Sequence, residues 1–125
     1  MTMVLWCVLI AGMLHIVCAG IAKYGAKGFD NNNPRQWMGT LEGYRARADA
    51  AQANTLEALP FFFIAVALAV YTNAPLDTLQ MLMVAWLLAR IAYIWFYIRD
   101  KATLRSIVWT VALAINIGIL FSGRI

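Results

Sequence analysis

Residues 76–98 read LDTLQMLMVAWLLARIAYIWFYI, and this stretch decides the class of fold. A bilayer core about 30 Å thick takes roughly 20 apolar residues to cross as a helix. This run meets that length, bounded by Asn73-Ala74-Pro75 before it and Arg99-Asp100-Lys101 after it. Three further stretches share its character: Val4 to Ala22, Arg45 to Tyr71 and Leu104 to Phe121. Four spans with short connections consume the 125 residues, so the expectation is an all-α, four-transmembrane-helix bundle forming one domain over 1–125. Only 13% of the chain is charged, too little to cover a soluble domain of this size.

The polar segment Lys23 to Tyr44 is rich in Gly and Asn, and Asn33-Pro34-Arg35 within it reads as a turn. Pro60 falls inside the second span and is expected to bend it. The first apolar stretch lacks the basic start of a signal peptide, and Cys18 lacks the small residue that precedes a lipoprotein cysteine. Cys7 and Cys18 lie on one helix about 16 Å apart, beyond disulfide reach, so both read as packing residues. No internal repeat is present.

Basic residues mark the cytoplasmic side of a membrane protein. Lys23, Lys27, Arg35, Arg45 and Arg47 flank or occupy the first connection, and Arg99, Lys101 and Arg105 the third. The second connection has none, so both termini are expected on the non-cytoplasmic side, with Arg124 the single dissenter. The net charge of +4 follows from this asymmetry and does not point to nucleic acid.

Two charges fall deep within spans, Glu57 and Arg90. Each costs at least about 2.5–3.5 kcal/mol unless it is paired or faces a polar cavity. The second and third spans form a hairpin whose turn centres near Asn73-Ala74, so residues whose numbers sum to about 147 lie at equal depth. Glu57 and Arg90 satisfy that relation and are expected to pair, directly or through a ligand. Arg47 and Asn54 share a stripe on the second span, and Arg90, Tyr93 and Tyr97 share one on the third. Arg105 and Ser106 open the fourth span. Together they outline a cleft open to the cytoplasm, with Lys23 at its mouth. The plainer alternative is a structural Glu–Arg pair with tyrosines and arginines as interfacial anchors. His15 and Asn116 read as helix–helix hydrogen-bonding groups, and Trp6, Trp37 and Trp109 as anchors or lipid-facing surface. No metal-ligand cluster, nucleophile–base pair or phosphate loop is present.

The run Ala51-Gln52-Ala53-Asn54-Thr55-Leu56-Glu57-Ala58-Leu59-Pro60-Phe61, with Ala89-Arg90-Ile91-Ala92-Tyr93, Tyr97 and Leu104-Arg105-Ser106, resembles the MAPEG family, the membrane-associated proteins in eicosanoid and glutathione metabolism. The similarity covers nearly the whole chain, including Asn33-Pro34. It implies a homotrimer of four-helix protomers that binds glutathione between neighbouring subunits near the cytoplasmic face. Gln52, Asn54, Glu57, Tyr93 and Tyr97 match glutathione-contacting residues of that family. Arg105 matches the arginine that stabilises the glutathione thiolate, with Ser106 beside it. Arg90 matches a buried arginine, and Lys23 falls near a basic ligand contact. One departure is clear. Eicosanoid-forming members carry an arginine one turn before the Asn, where this chain has Ala50, and Arg47 lies a further turn back.

Glutathione carries two carboxylates and an amine, so it needs basic groups and at least one acid. Arg47, Arg90, Arg105 and Glu57 supply both. The resemblance implies a glutathione-dependent transferase or peroxidase acting on lipophilic electrophiles or lipid hydroperoxides that enter from the bilayer, with glutathione as cosubstrate and no metal. Two other readings stand beside it: a catalytically silent family member, and a small proton-coupled multidrug exporter. Such exporters place their key glutamate in the first helix, where this sequence has none. Compact loops and alanine-rich spans point to a bacterial source and its inner membrane.

Overall fold

The computed structural model describes residues 1–124 and contains five helices: α1 (Thr2–Lys23), α2 (Pro34–Met38), α3 (Tyr44–Tyr71), α4 (Leu76–Ile98) and α5 (Ala102–Leu120). All but α2 are long and apolar enough to cross a membrane. These helices are apolar on nearly every side, as spans must be when lipid replaces water around them. Leu5, Trp6, Leu9, Ile64, Met81 and Leu88 accordingly stay exposed on the outer surface.

At the centre α3 packs on α4; α1 lies mainly against α3, and α5 mainly against α4. On α1 the buried residues are Val4, Cys7, Ala11, Leu14, Cys18 and Ala22, the three-and-four spacing of one helical face. Both cysteines are free and buried in that face. Small residues such as Ala11, Ala51, Ala65 and Ala69 let the backbones approach closely, the usual source of cohesion between helices in lipid. At mid-depth the rings of Phe62 and Trp86 stack with centroids 3.8 Å apart.

Two turns fix the antiparallel order, and they are built alike. Beyond α3, Asn73 adopts φ 57° while Asn73 N–H donates to Val70 and Ala74 N–H to Ala69. Beyond α4, Asp100 adopts φ 59° while Asp100 N–H donates to Tyr97 and Lys101 N–H to Phe96. Each is a Schellman ending, with an Asn or Asp in the left-handed position that such short polar side chains tolerate.

The first connection differs from expectation. Asn33-Pro34-Arg35 opens the short helix α2 instead of a simple turn, because proline at the first helical position already holds the required φ and lacks only an N–H that would go unused. A T-shaped contact between Phe29 and Trp37 holds the segment, and Lys23 Nζ sits 4.4 Å above the Phe29 ring. Helix α3 runs without interruption through Pro60. Its 28 residues span about 42 Å, so roughly two turns at the charged Tyr44 end project beyond the hydrocarbon.

Candidate functional site

Helix α3 presents three faces, and the site follows from them. At 100° per residue, Ala48, Ala51, Thr55, Leu59 and Phe62 form the buried face. Asn54, Glu57, Ala58 and Phe61 turn toward α4 and α5, whereas Asp49, Gln52, Ala53 and Leu56 turn toward α1 and α2. These two cavity-lining faces lie roughly 140° apart around the helix axis. Residues two positions apart, such as Gln52 and Asn54, therefore serve different cavities.

Between α3, α4 and α5 a chamber of about 210 Å³ is lined by Asn54, Glu57, Arg90, Trp86, Trp109 and Asn116, with apolar neighbours. Asn54 and Trp109 also line a cavity of about 430 Å³ nearer the basic end, shared with Tyr93, Tyr97, Arg105 and Ser106. The two adjoin at Asn54 and Trp109, so that polar groups follow one another from the rim into the bundle between largely apolar walls.

Arg90 is the central charge of this cleft and only 2% exposed. Its Nη2 donates to Asn54 Oδ1 at 2.9 Å and to Thr55 Oγ1 at 3.4 Å, and its Cζ lies 4.3 Å above the Tyr93 ring. Neither hydrogen-bond partner is a carboxylate, and no direct ion pair joins Arg90 to Glu57 among the described residues. This corrects the expectation of direct pairing. Equal depth describes Cα positions, but the long arginine side chain runs about one turn toward the polar end, where Tyr93 sits. Its partners are consequently residues 54 and 55. Glu57 remains exposed on the wall of the same chamber, so the expectation of pairing through a ligand keeps its geometric basis. Arg90 Nε is buried without a hydrogen-bond partner.

At the rim the same motif repeats. Arg105 Cζ lies 4.3 Å above the Tyr97 ring, and the Tyr93 and Tyr97 rings meet edge-on at 5.7 Å. The sequence Arg90, Tyr93, Tyr97, Arg105 is thus a ladder of two adjoining rings with a cation at each end, each contact an ordinary cation–π or aromatic geometry.

Lys23 and Gln52 lie elsewhere. They line a separate cavity of about 510 Å³ with Arg35, Asp49, Pro34 and Met38, on the α1–α2 side of α3. The expected position of Lys23 at the mouth of the Asn54–Tyr93 cleft is therefore corrected, since α3 stands between them. Arg47 Nε donates to the Ile98 carbonyl at 3.0 Å, closing the end of α4, much as Arg45 donates to the Ala22 and Tyr24 carbonyls at the end of α1.

Two residues of the site escaped the sequence reading, one buried behind the cleft and one on its wall. Thr55 was hidden because threonine in an apolar helix signals nothing; it both donates to Ala51 O and accepts from Arg90. Trp109 lines the cleft while also staying exposed at the outer surface as expected, and its spacing of four and three from Arg105 and Ser106 was the available signal for the cleft. The expected helix–helix bonds of His15 and Asn116 are not formed at His15 Nδ1 and Asn116 Oδ1, which are buried without partners. Asn116 Oδ1 belongs to a chamber-lining residue; nothing in the packing accounts for His15. Among the described residues no His, Cys, Asp and Glu cluster is arranged to hold a metal ion.

Four membrane-crossing helices with a cation-lined polar cleft sunk into them define a polytopic integral membrane protein. The MAPEG family model matches residues 3–124, and the chain belongs to that family. No curated protein and no solved structure matches it.

Proposed function

We propose that this protein is a glutathione-dependent transferase or peroxidase for lipophilic substrates, working as a homotrimer. The observation that carries the reading is Arg90, a buried guanidinium held by neutral partners beside a chamber that also exposes Glu57. A buried charge without a counter-charge is expensive, and a guest bearing carboxylates and an ammonium supplies both complements.

Arg105 is the residue assigned to the thiolate. A free thiol titrates near pKa 8.5 and reacts as its anion; an adjacent permanent cation favours that anion without a separate base. In transfer, the sulfur bonds to the electrophilic carbon as the bond to its leaving group breaks. In peroxide reduction, the sulfur takes the outer oxygen, the O–O bond breaks and the alkoxide gains a proton. A second glutathione then converts the sulfenic acid to disulfide and water. Ser106, Tyr93 and Tyr97 line the thiol's end of the cleft, with Asn54, Glu57 and Arg90 deeper.

The two faces of α3 support the trimer. One protomer offers Lys23 and Gln52 on one side and Asn54 and Arg105 on the other, so a single ligand reaches both only where neighbouring copies meet. A closed ring of heterologous contacts arranges that meeting at every interface. On α5 the exposed Ser106, Thr110, Ala114 and Gly118 recur every four residues, a spacing that lets another helix approach closely. The basic end is assigned to the cytoplasmic side of a bacterial inner membrane.

The test is thermal melting of the detergent-solubilised protein with millimolar glutathione. A concentration-dependent rise in Tm is expected; none would count against the reading. A second reading, a family member that binds but does not catalyse, draws support from Ala50 and from the engagement of Arg47 at Ile98. Stabilisation by glutathione without turnover of model electrophiles or hydroperoxides would favour it.

A further inference from the structure

Helix α1 carries an outer stripe that the cleft does not use. Val17, Gly20, Ile21 and Tyr24 recur at three-and-four spacing, and with Tyr44 at the start of α3 they line a groove of about 500 Å³. From Val17 to Tyr24 the groove follows α1 for about 10 Å, over its last turns at the basic end of the bundle. Val17 and Gly20 are exposed, and a Cβ on Gly20 would meet nothing within 4 Å, so the floor is open. At 100° per residue this stripe lies roughly 130° around α1 from Ala19 and Lys23, which border the face assigned above to a neighbouring copy. The groove is therefore left to the bilayer.

Its two ends differ in chemistry. The inner end is aliphatic, whereas the rim is formed by two tyrosines, a residue type that settles at headgroup level. Arg45 is fixed at that rim. Its Nη1 donates to the Ala22 and Tyr24 carbonyls at 3.2 and 2.6 Å, and its Cζ lies 5.1 Å from the centre of the Tyr44 ring. Among the described residues its Nε and Nη2 have no hydrogen-bond partner, so a positioned guanidinium keeps donors to spare. No acidic residue lines the groove. Anionic lipids concentrate in the cytoplasmic leaflet and are drawn to basic residues at its surface, and the basic end is the one assigned to that side. We propose that the groove holds one phospholipid with an anionic headgroup. The first part of an acyl chain lies on Val17, Gly20 and Ile21, and the phosphate meets Arg45 and the tyrosine hydroxyls. This site stands independently of the glutathione reading, because none of its lining residues borders the cavities that hold Asn54, Arg105 or Lys23.

The experiment titrates the detergent-solubilised full-length protein with phosphatidylglycerol and with phosphatidylcholine of identical acyl chains, reading bound lipid by native mass spectrometry and the rise in Tm. Wild-type protein is expected to saturate at one phosphatidylglycerol per chain, bound about fivefold or more tightly than phosphatidylcholine, the scale of one basic residue at an anionic surface. Arg45→Gln should erase that preference while leaving phosphatidylcholine affinity within about twofold. Gly20→Leu fills the floor and should weaken both lipids about fivefold or more, with the lipid-free Tm and any glutathione-dependent rise unchanged, since its Cβ enters open space. Arg45 also caps α1, so Gly20→Leu decides the matter alone if Arg45→Gln does not fold. Equal affinity of wild-type protein for the two lipids would overturn the proposal, as would Gly20→Leu binding phosphatidylglycerol like wild type. So would a preference erased as fully by Lys101→Gln, which would mean a diffuse field at the basic end, or displacement of the lipid by glycerol phosphate, which would make the groove dispensable.

Discussion

Arg90 and Asn54 are joined across the α3–α4 interface by a hydrogen bond of 2.9 Å, at a depth where the chain also carries Glu57. The amide orients the guanidinium without neutralising it. Had Glu57 closed on Arg90, both charges would have been consumed in holding the helices together. Instead the acid and the base border one chamber separately, and each keeps the capacity to meet a third party.

Replacing Arg90 with methionine should separate structure from binding. Buried ionic groups are often replaceable by apolar residues of similar volume at no cost to stability. The expected result for Arg90→Met is a ligand-free Tm equal to or above wild type, with the glutathione-dependent rise abolished. Asn54→Ala removes the acceptor but leaves the charge, and should cost about 1–3 kcal/mol in the ligand-free protein. A marked fall in ligand-free stability for Arg90→Met would assign Arg90 to the scaffold.

Arg47 is expected to act on the fold alone. Its Nε closes the Ile98 carbonyl at the end of α4, and losing such a contact costs about 1 kcal/mol. Thermal melting of Arg47→Ala should show that loss equally with and without glutathione. A loss that grows in the presence of glutathione would mean that Arg47 touches the ligand.

Gly123 should tolerate no side chain. The backbone returns at this point to the α3–α4 turn, where Arg124 N–H donates to the Thr72 carbonyl at 2.7 Å. A Cβ on residue 123 would occupy the space of the Thr72 hydroxyl. Gly123→Ala should therefore destabilise by about 1–3 kcal/mol, with faster proteolysis of the C-terminal residues. The double variant Thr72→Gly/Gly123→Ala, which removes both the hydroxyl and the Cβ that the new methyl would meet, should recover part of that loss.

The spans were legible because length and apolarity alone define them. The boundaries of α4 are those that Pro75 and Arg99 imply, and the other three spans shift by only one or two residues. Deep charges were legible for a related reason: Glu57 and Arg90 stand out in apolar surroundings at equal depth. Their geometry was not, since the reach of an arginine side chain spans most of a helical turn and redirected the bond to Asn54 and Thr55. The division of Gln52 from Asn54 was present in the 100° rotation per residue, yet reading Lys23 into the Asn54 cleft overlooked it. Helix α2, with Arg35, lay inside a segment whose Gly and Asn content masked a single proline-started turn of helix.

The thiolate absorbance of glutathione titrated onto the purified protein at neutral pH bears most directly on the cleft's chemistry. A saturable signal is expected with wild-type protein. In Arg105→Ala that signal should vanish while the glutathione-dependent rise in Tm largely persists, as the proposed assignment of Arg105 to the sulfur alone requires. Wild-type protein that saturates with glutathione yet never generates thiolate, or an Arg105→Ala variant that generates it as well as wild type, would contradict the assignment.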